Sequence, residues 1–562
     1  MALRTLASIL LWPAVRFGTQ VPNPHSDPTI TIPNGTLIGT HNTDYNQDLF
    51  LGIPYAEPPV GPLRFNRPSP INKQWDTPLC ATHYGSWCHS SPLSLPGFTQ
   101  PGFPHTESED CLTLNIIRPS NPPPNIPVLV YIHGGGLQEG GSADQRYNLS
   151  FIVDESVQIN NPIIAVSFNY RVSGFGFLSG QAIHHAKAAN LGLHDQRLAL
   201  RWVKENIAAF GGDPARITIQ GESSGALSVG YQILAPGGEN LFRAAIAQSG
   251  SPLSSAALAP PSEQDHAYNT VVHEVGCAHA QDTLHCLRHA PAHSLKTSFQ
   301  GKFFFPVLDN DLIPDFPSTA LRKKRFNTPL LLGSNTNEGT GYIASGEFGA
   351  INTIPDFRNV ITSFGPGKYL SNATLENITT AYLSLSPEQI REDLGTVLPS
   401  PGPEYGKLYG LSTFYLGDYL VNAGKRYTAR MWAAHGVPVY SYRFNISPFG
   451  VDRCLLGAAH FQEVAFTFRN LDGVGYAVCP FDGERGGEMR GVSVRMARMW
   501  ICFVNWLDPN CGIESEGPEW PEYRVEEPVN MVFSLGGVSV ERDSWHGAPI
   551  DSIIEAFDEY RF

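Results

Sequence analysis

The chain has 562 residues, 42% of them hydrophobic and 16% charged, with a formal net charge of −14. That acidic balance disfavours nucleic acid and anionic membranes as partners. No stretch is apolar and long enough to predict stable membrane insertion. At the N-terminus, Arg4 followed by Leu6 to Trp12 reads as a short signal h-region, although Pro13 interrupts it and Arg16-Phe17 do not fit a small-residue cleavage site. Residues 1–20 are therefore a candidate signal segment. No charge run or Pro/Ser linker divides the remainder, so 21–562 reads as a single elaborated domain. Its 46 prolines and 54 glycines predict many turns and long loops of the kind that carry substrate pockets.

Val128 to Ile132 predicts a buried strand running into His133-Gly134-Gly135-Gly136. Glycines there can turn backbone N–H groups toward a developing negative charge, with His133 as a structural partner of the loop. Farther on, Ala215 to Gln220 alternates like a short strand, and Ser224 to Leu234 carries Ala, Leu and Val at helical spacing. Gly221-Glu222-Ser223-Ser224-Gly225 lies between them. A strand-turn-helix corner with small residues on both sides is the context in which a serine becomes an exposed nucleophile. Ser223 is that candidate, and the N–H groups of Gly135, Gly136 and Ser224 are the candidate oxyanion donors.

A serine nucleophile needs a base, and the base an orienting acid. Pro329 to Gly333 predicts a strand, and the loop at its end, Ser334 to Gly339, carries Glu338. Asp309 and Asp311 compete with it, although Pro306 to Asp311 has the look of an ordinary turn. Among the later histidines, His435 ends an apparent helix at Gly436, where it suits the helix dipole, and His546 sits in a similar capping place before the C-terminal helix. His460, in the small-residue loop Gly457-Ala458-Ala459, can project into a cleft and is the candidate base. Such a base predicts activity rising through an apparent pKa near 6 to 7. Phe303 to Phe305 and Leu408 to Tyr419 are either pocket wall or core. No His/Cys cluster has zinc spacing, so neither a metal nor a cofactor is expected.

In order along the chain stand Leu51-Gly52-Ile53-Pro54-Tyr55-Ala56, Glu109-Asp110-Cys111-Leu112-Thr113-Leu114-Asn115, the His133 glycine loop, Asn169-Tyr170-Arg171, Gly211-Gly212-Asp213-Pro214, the Ser223 corner, Ala247-Gln248-Ser249-Gly250, Asn337-Glu338-Gly339 and His460-Phe461-Gln462-Glu463. This series resembles the type-B carboxylesterases, the α/β-hydrolases that include cholinesterases and Candida-type fungal lipases. The resemblance implies an α/β-hydrolase fold: a large, mostly parallel sheet flanked by helices, with long loop insertions forming the pocket. It implies Ser223 as nucleophile, Glu338 as acid, His460 as base, and Gly135, Gly136 and Ser224 as oxyanion donors. Ser224 departs from the alanine that many relatives carry there. Two disulfides are implied as well, Cys88 with Cys111 and Cys277 with Cys286. Cys80, Cys454, Cys479, Cys502 and Cys511 remain, an odd number. The expected activity is hydrolysis of a small-molecule or lipid ester through an acyl-enzyme. An interfacial triacylglycerol lipase is the alternative, and a catalytically inactive cholinesterase-like binding or adhesion protein the rival outside enzymes.

The loop between Cys88 and Cys111 forms a lid or a gorge wall in such relatives. Here Pro92, Pro96, Pro101, Pro104, Gly97 and Gly102 interrupt any amphipathic helix, and no Trp lies within it, Trp87 standing just outside. These features predict an esterase for short- to medium-chain esters that uses choline esters poorly. Sequons at Asn34, Asn148, Asn372, Asn377 and Asn445, together with the cysteines, predict a secreted glycoprotein.

Overall fold

The computed structural model describes residues 27–99, 104–237, 239–253, 258–323, 326–511 and 517–562; the candidate signal segment lies outside them. A sheet of eleven strands organises the chain. In chain order these are β1 (Thr40–Asn42), β2 (Gln47–Pro54), β3 (Thr113–Pro119), β4 (Ile126–Ile132), β5 (Ile164–Phe168), β6 (Gly212–Glu222), β7 (Ala244–Gln248), β8 (Leu330–Asn335), β9 (Val439–Asn445), β10 (Val529–Ser534) and β11 (Gly537–Arg542). They lie side by side as β11-β10-β9-β8-β7-β6-β4-β5-β3-β2-β1. The seven strands from β5 to β10 run parallel, with antiparallel strands at both edges.

A parallel sheet covered on both faces needs strands that are apolar on both sides. β4, Ile-Pro-Val-Leu-Val-Tyr-Ile, is buried at every position. Its alternate residues Val128, Val130 and Ile132 enter one hydrophobic core, while Leu129 and Tyr131 enter the core on the opposite face. Helices α1 (Leu191–Asn206) and α2 (Ser224–Leu234) cover the first face, and α3 (Gly486–Trp506) the second. The segment Tyr409–Gly417, read as pocket wall or core, is a helix buried throughout, so it is core. Of the three phenylalanines, Phe304 is buried whereas Phe303 is 63% exposed.

Cys88–Cys111 and Cys277–Cys286 are bonded, and a third disulfide, Cys502–Cys511, joins two of the cysteines that the sequence leaves unassigned. Cys80, Cys454 and Cys479 are free thiols.

Backbone segments approach closely where α2 leaves β6. A Cβ on Gly225 would stand 2.1 Å from the Ile132 carbonyl oxygen, and one on Gly221 would stand 2.3 Å from the Gly225 carbonyl. Gly225→Ala must push backbone against backbone, and is expected to destabilise the protein by about 1 to 3 kcal/mol. Thermal unfolding followed by circular dichroism checks this; an unchanged midpoint contradicts the packing described.

Candidate active site

Ser223 stands between the last residue of β6 and the first of α2, with φ +57° and ψ −124°. A non-glycine residue there is strained, and the hydrogen bond from its N–H to the Gln248 carbonyl, 2.9 Å, helps to hold it. From β8 the chain enters the Glu338 loop, and from β9 it passes to the His460 loop. The two loops are zipped together. The Asn337 N–H donates to the Ala458 carbonyl, the Ala458 N–H to Asn337 Oδ1, and Asn335 Nδ2 to the Ala459 carbonyl.

This zipping aligns three side chains. His460 Nε2 lies 2.8 Å from Ser223 Oγ, and His460 Nδ1 lies 2.6 Å from Glu338 Oε2. The other Glu338 oxygen accepts the Asn335 N–H at 2.6 Å, which fixes the carboxylate. Asp309 instead accepts from Asn190 and from the backbone of its own turn, and Asp311 pairs with Arg67. Neither competitor is the carboxylate bonded to His460.

Two further carboxyls that sequence reasoning passed over also face the imidazole. Glu222 Oε1 lies 3.4 Å from His460 Nε2, and Glu463 accepts Asn335 Nδ2 at 2.7 Å. Burial pushes Glu222 well above the usual carboxylate range, so it favours its protonated form, and pushes Glu463 up to about 7. For His460 itself, burial works against the charged ring, but the neighbouring Glu338 outweighs it and raises its pKa above the ordinary value. The visible signals for these two carboxyls were their places beside Ser223 and three residues after His460.

Gly135 and Gly136 adopt φ of +101° and +63°, and the chain doubles back so that the N–H groups of Gln138 and Glu139 both donate to the Gly135 carbonyl. Ser224 does more than supply a backbone N–H. Its Oγ accepts the Leu137 N–H at 3.1 Å and ties the serine corner to the glycine loop. His133 is a partner of this loop: buried, held neutral by a pKa pushed down to about 4, its Nδ1–H donating to the Gly134 carbonyl. His435 caps its helix as read, through the Met431 carbonyl. His546 does not cap with its side chain; it is buried against Asp418 at 3.0 Å and stacked on Trp545.

Over the site lies the loop that follows Cys88. Leu93 abuts Gly136, the Pro96 carbonyl abuts Gly341, and Gln462 Nε2 donates to the Gly97 carbonyl at 2.7 Å. Arg146, forked onto Asp144, donates to the Phe98 carbonyl and lies over the rings of Phe98 and Phe461. Among its described residues the loop holds no helix. Beneath it is a cavity of about 260 Å³ that Trp87, Leu93, Phe98, Tyr147 and Phe461 help to line.

Comparison with known proteins places this geometry. Residues 26–542 match the family model of the carboxylesterase family. The chain is 35% identical over 435 residues to Lipase 4 of Diutina rugosa, covering 71% of this chain and 76% of that protein. To Secreted lipase 1 of Botryotinia fuckeliana (strain B05.10) it is 33% identical over 556 residues, covering 91% and 90%. Among solved structures, Aspergillus niger EstA superposes with a TM-score of 0.81 at 27% identity, over 96% of this chain and 100% of that one. The α/β-hydrolase fold and these relatives together make the chain an ester hydrolase, and it belongs to the carboxylesterase family.

Proposed function

We propose that the protein is a serine carboxylic-ester hydrolase that works through an acyl-enzyme on short- to medium-chain esters. The observation that carries this reading is the unbroken hydrogen-bond chain from Glu338 through His460 to Ser223. His460 Nε2 takes the hydroxyl proton as Ser223 Oγ attacks the ester carbonyl. The N–H groups of Gly135, Gly136 and Ser224 bind the oxyanion, and Glu338 stabilises the imidazolium. His460 then gives its proton to the leaving alcohol oxygen. Water, deprotonated by the same ring, releases the acid and restores Ser223.

A complete triad argues against an inactive binding protein. The lipase alternative draws on the names of two relatives, but the broken Leu93–Thr99 turn offers no continuous apolar face. Trp87 lines the cavity, yet its ring stacks on His105 at 4.1 Å and abuts Gly141, so a ring face that a quaternary ammonium needs is covered. Secretion is supported by three disulfides and by the secreted relative. Of the glycosylation candidates, Asn372, Asn377 and Asn445 are exposed and Asn148 is half-buried. The Asn34 amide donates to the carbonyls of both Ile71 and Lys73, which disfavours a glycan there.

Ser223→Ala and His460→Ala are each expected to lower ester turnover by roughly 10⁵ to 10⁶, and Glu338→Gln by less. Turnover of a p-nitrophenyl ester within tenfold of wild type in either of the first two variants overturns the assignment.

The acidic limb of kcat/KM is expected above the 6 to 7 of an unperturbed histidine. The ring must be neutral to act as base, and its carboxylate neighbour favours the charged form. Glu338→Gln removes that charge, so its limb is expected at lower pH. A limb that stays in place in the variant contradicts the electrostatic account.

Activity on a sparingly soluble ester is expected to follow the dissolved concentration smoothly through the solubility limit. A sharp rise on emulsion formation instead supports the interfacial lipase.

A further inference from the structure

The cavity under the Leu93–Thr99 turn is bordered by the chain neighbours of the candidate site. Gly134 lines it, and a Cβ there would stand 3.2 Å from Ser223 Cβ; Phe461, next to His460, lines the same space. A histidine that protonates the leaving oxygen faces the alcohol half of the ester, and a cavity bordered by Gly134 and Phe461 is the candidate place for that half.

Most polar groups of the lining are already engaged. Ser90 Oγ donates to Glu107, and Thr99 Oγ1 to the Leu93 carbonyl. His105 pairs with Glu107, and the Asp144 carboxylate is forked by Arg146. Glu139 differs. Its carboxyl is half-buried near the Leu93 backbone, and the two oxygens of such a group offer about four acceptor sites. It is therefore the lining group with most hydrogen-bonding capacity left for a ligand.

We propose that Glu139 is a specificity-determining residue that selects esters whose alcohol carries a second, free hydroxyl close to the ester oxygen, as partial esters of short polyols do. The inference rests on the ester-hydrolase reading above and names its substrate class. A hydroxyl suits the site better than a cation does. Burial pushes Glu139 up to about 7, so its charge is incomplete near neutrality, and Arg146 in the same lining repels a cation. A hydroxyl can donate to the ionised carboxyl and accept from the protonated one. The purely apolar alternative leaves a buried carboxyl facing a methyl group, which is unfavourable.

The test compares 2-hydroxyethyl butanoate with propyl butanoate, which differ by one hydroxyl in place of a methyl. The wild-type enzyme is expected to favour the hydroxylated ester in kcat/KM by about tenfold. Glu139→Leu is expected to bring the ratio near one, and Glu139→Gln, which keeps an acceptor, to retain most of it. A role confined to anchoring Leu93 lowers both substrates alike and leaves the ratio unchanged, which overturns the proposal. A wild-type ratio of one or less overturns it without any variant. Failure to hydrolyse either ester sinks the ester-hydrolase reading instead, so the two failures are distinguishable.

Discussion

The site depends on one strained residue. Ser223 holds a backbone conformation that costs of order 1 to 3 kcal/mol, and it persists because β6, α2 and the Ile132 end of β4 meet too closely to let it relax. Two glycines make that approach, and seven parallel strands buried on both faces make it rigid. The strain presents Oγ at the carboxyl end of the sheet. There the loops from β8 and β9 can reach it without any shift of the framework.

Around the corner the electrostatics are uneven by construction. Three carboxyls crowd one imidazole, and ionising all of them in a buried site is unfavourable. Glu338 receives an N–H from Asn335 and the Nδ1–H of His460, whereas neither Glu222 oxygen has a hydrogen-bond partner. Glu338 is therefore the carboxyl whose oxygens are held in line with the ring. Glu463, fixed by Asn335, keeps the same asparagine bonded to the histidine loop, so the Glu338 and His460 loops share a scaffold.

Access to this chemistry is shaped by a single irregular turn. Leu93 to Phe98 touches the glycine loop, the acid loop and the histidine loop in succession. Arg146 grips it by the Phe98 carbonyl and ring, and Gln462 by another carbonyl. A turn held by so many non-repeating contacts is a fitted wall, and the cavity behind it mixes aromatic surface with a few placed polar groups, as small-molecule sites do.

Locally encoded features were legible in the chain alone. The Ser223 corner announces itself because strand, glycines and helix are contiguous, and β4 because its neighbours are apolar on both faces. The order of motifs carried the family. Glu338 was not separable from Asp309 by composition, since both sit in polar turns after apolar segments; the family resemblance pointed to it, and the 2.6 Å bond to His460 is the physical distinction. His546 looked like a cap, yet its ring is spent on Asp418, 128 residues away. Cys502 and Cys511 likewise give no sign of partnership until the helix ending at Trp506 turns back on itself. The sequence by itself determined the parts made of neighbouring residues: the strands, the glycine loops and the serine corner. How closely that carboxyl meets the histidine, and how burial shifts each proton, only the tertiary structure decided, because both depend on distances and desolvation between segments far apart in the chain.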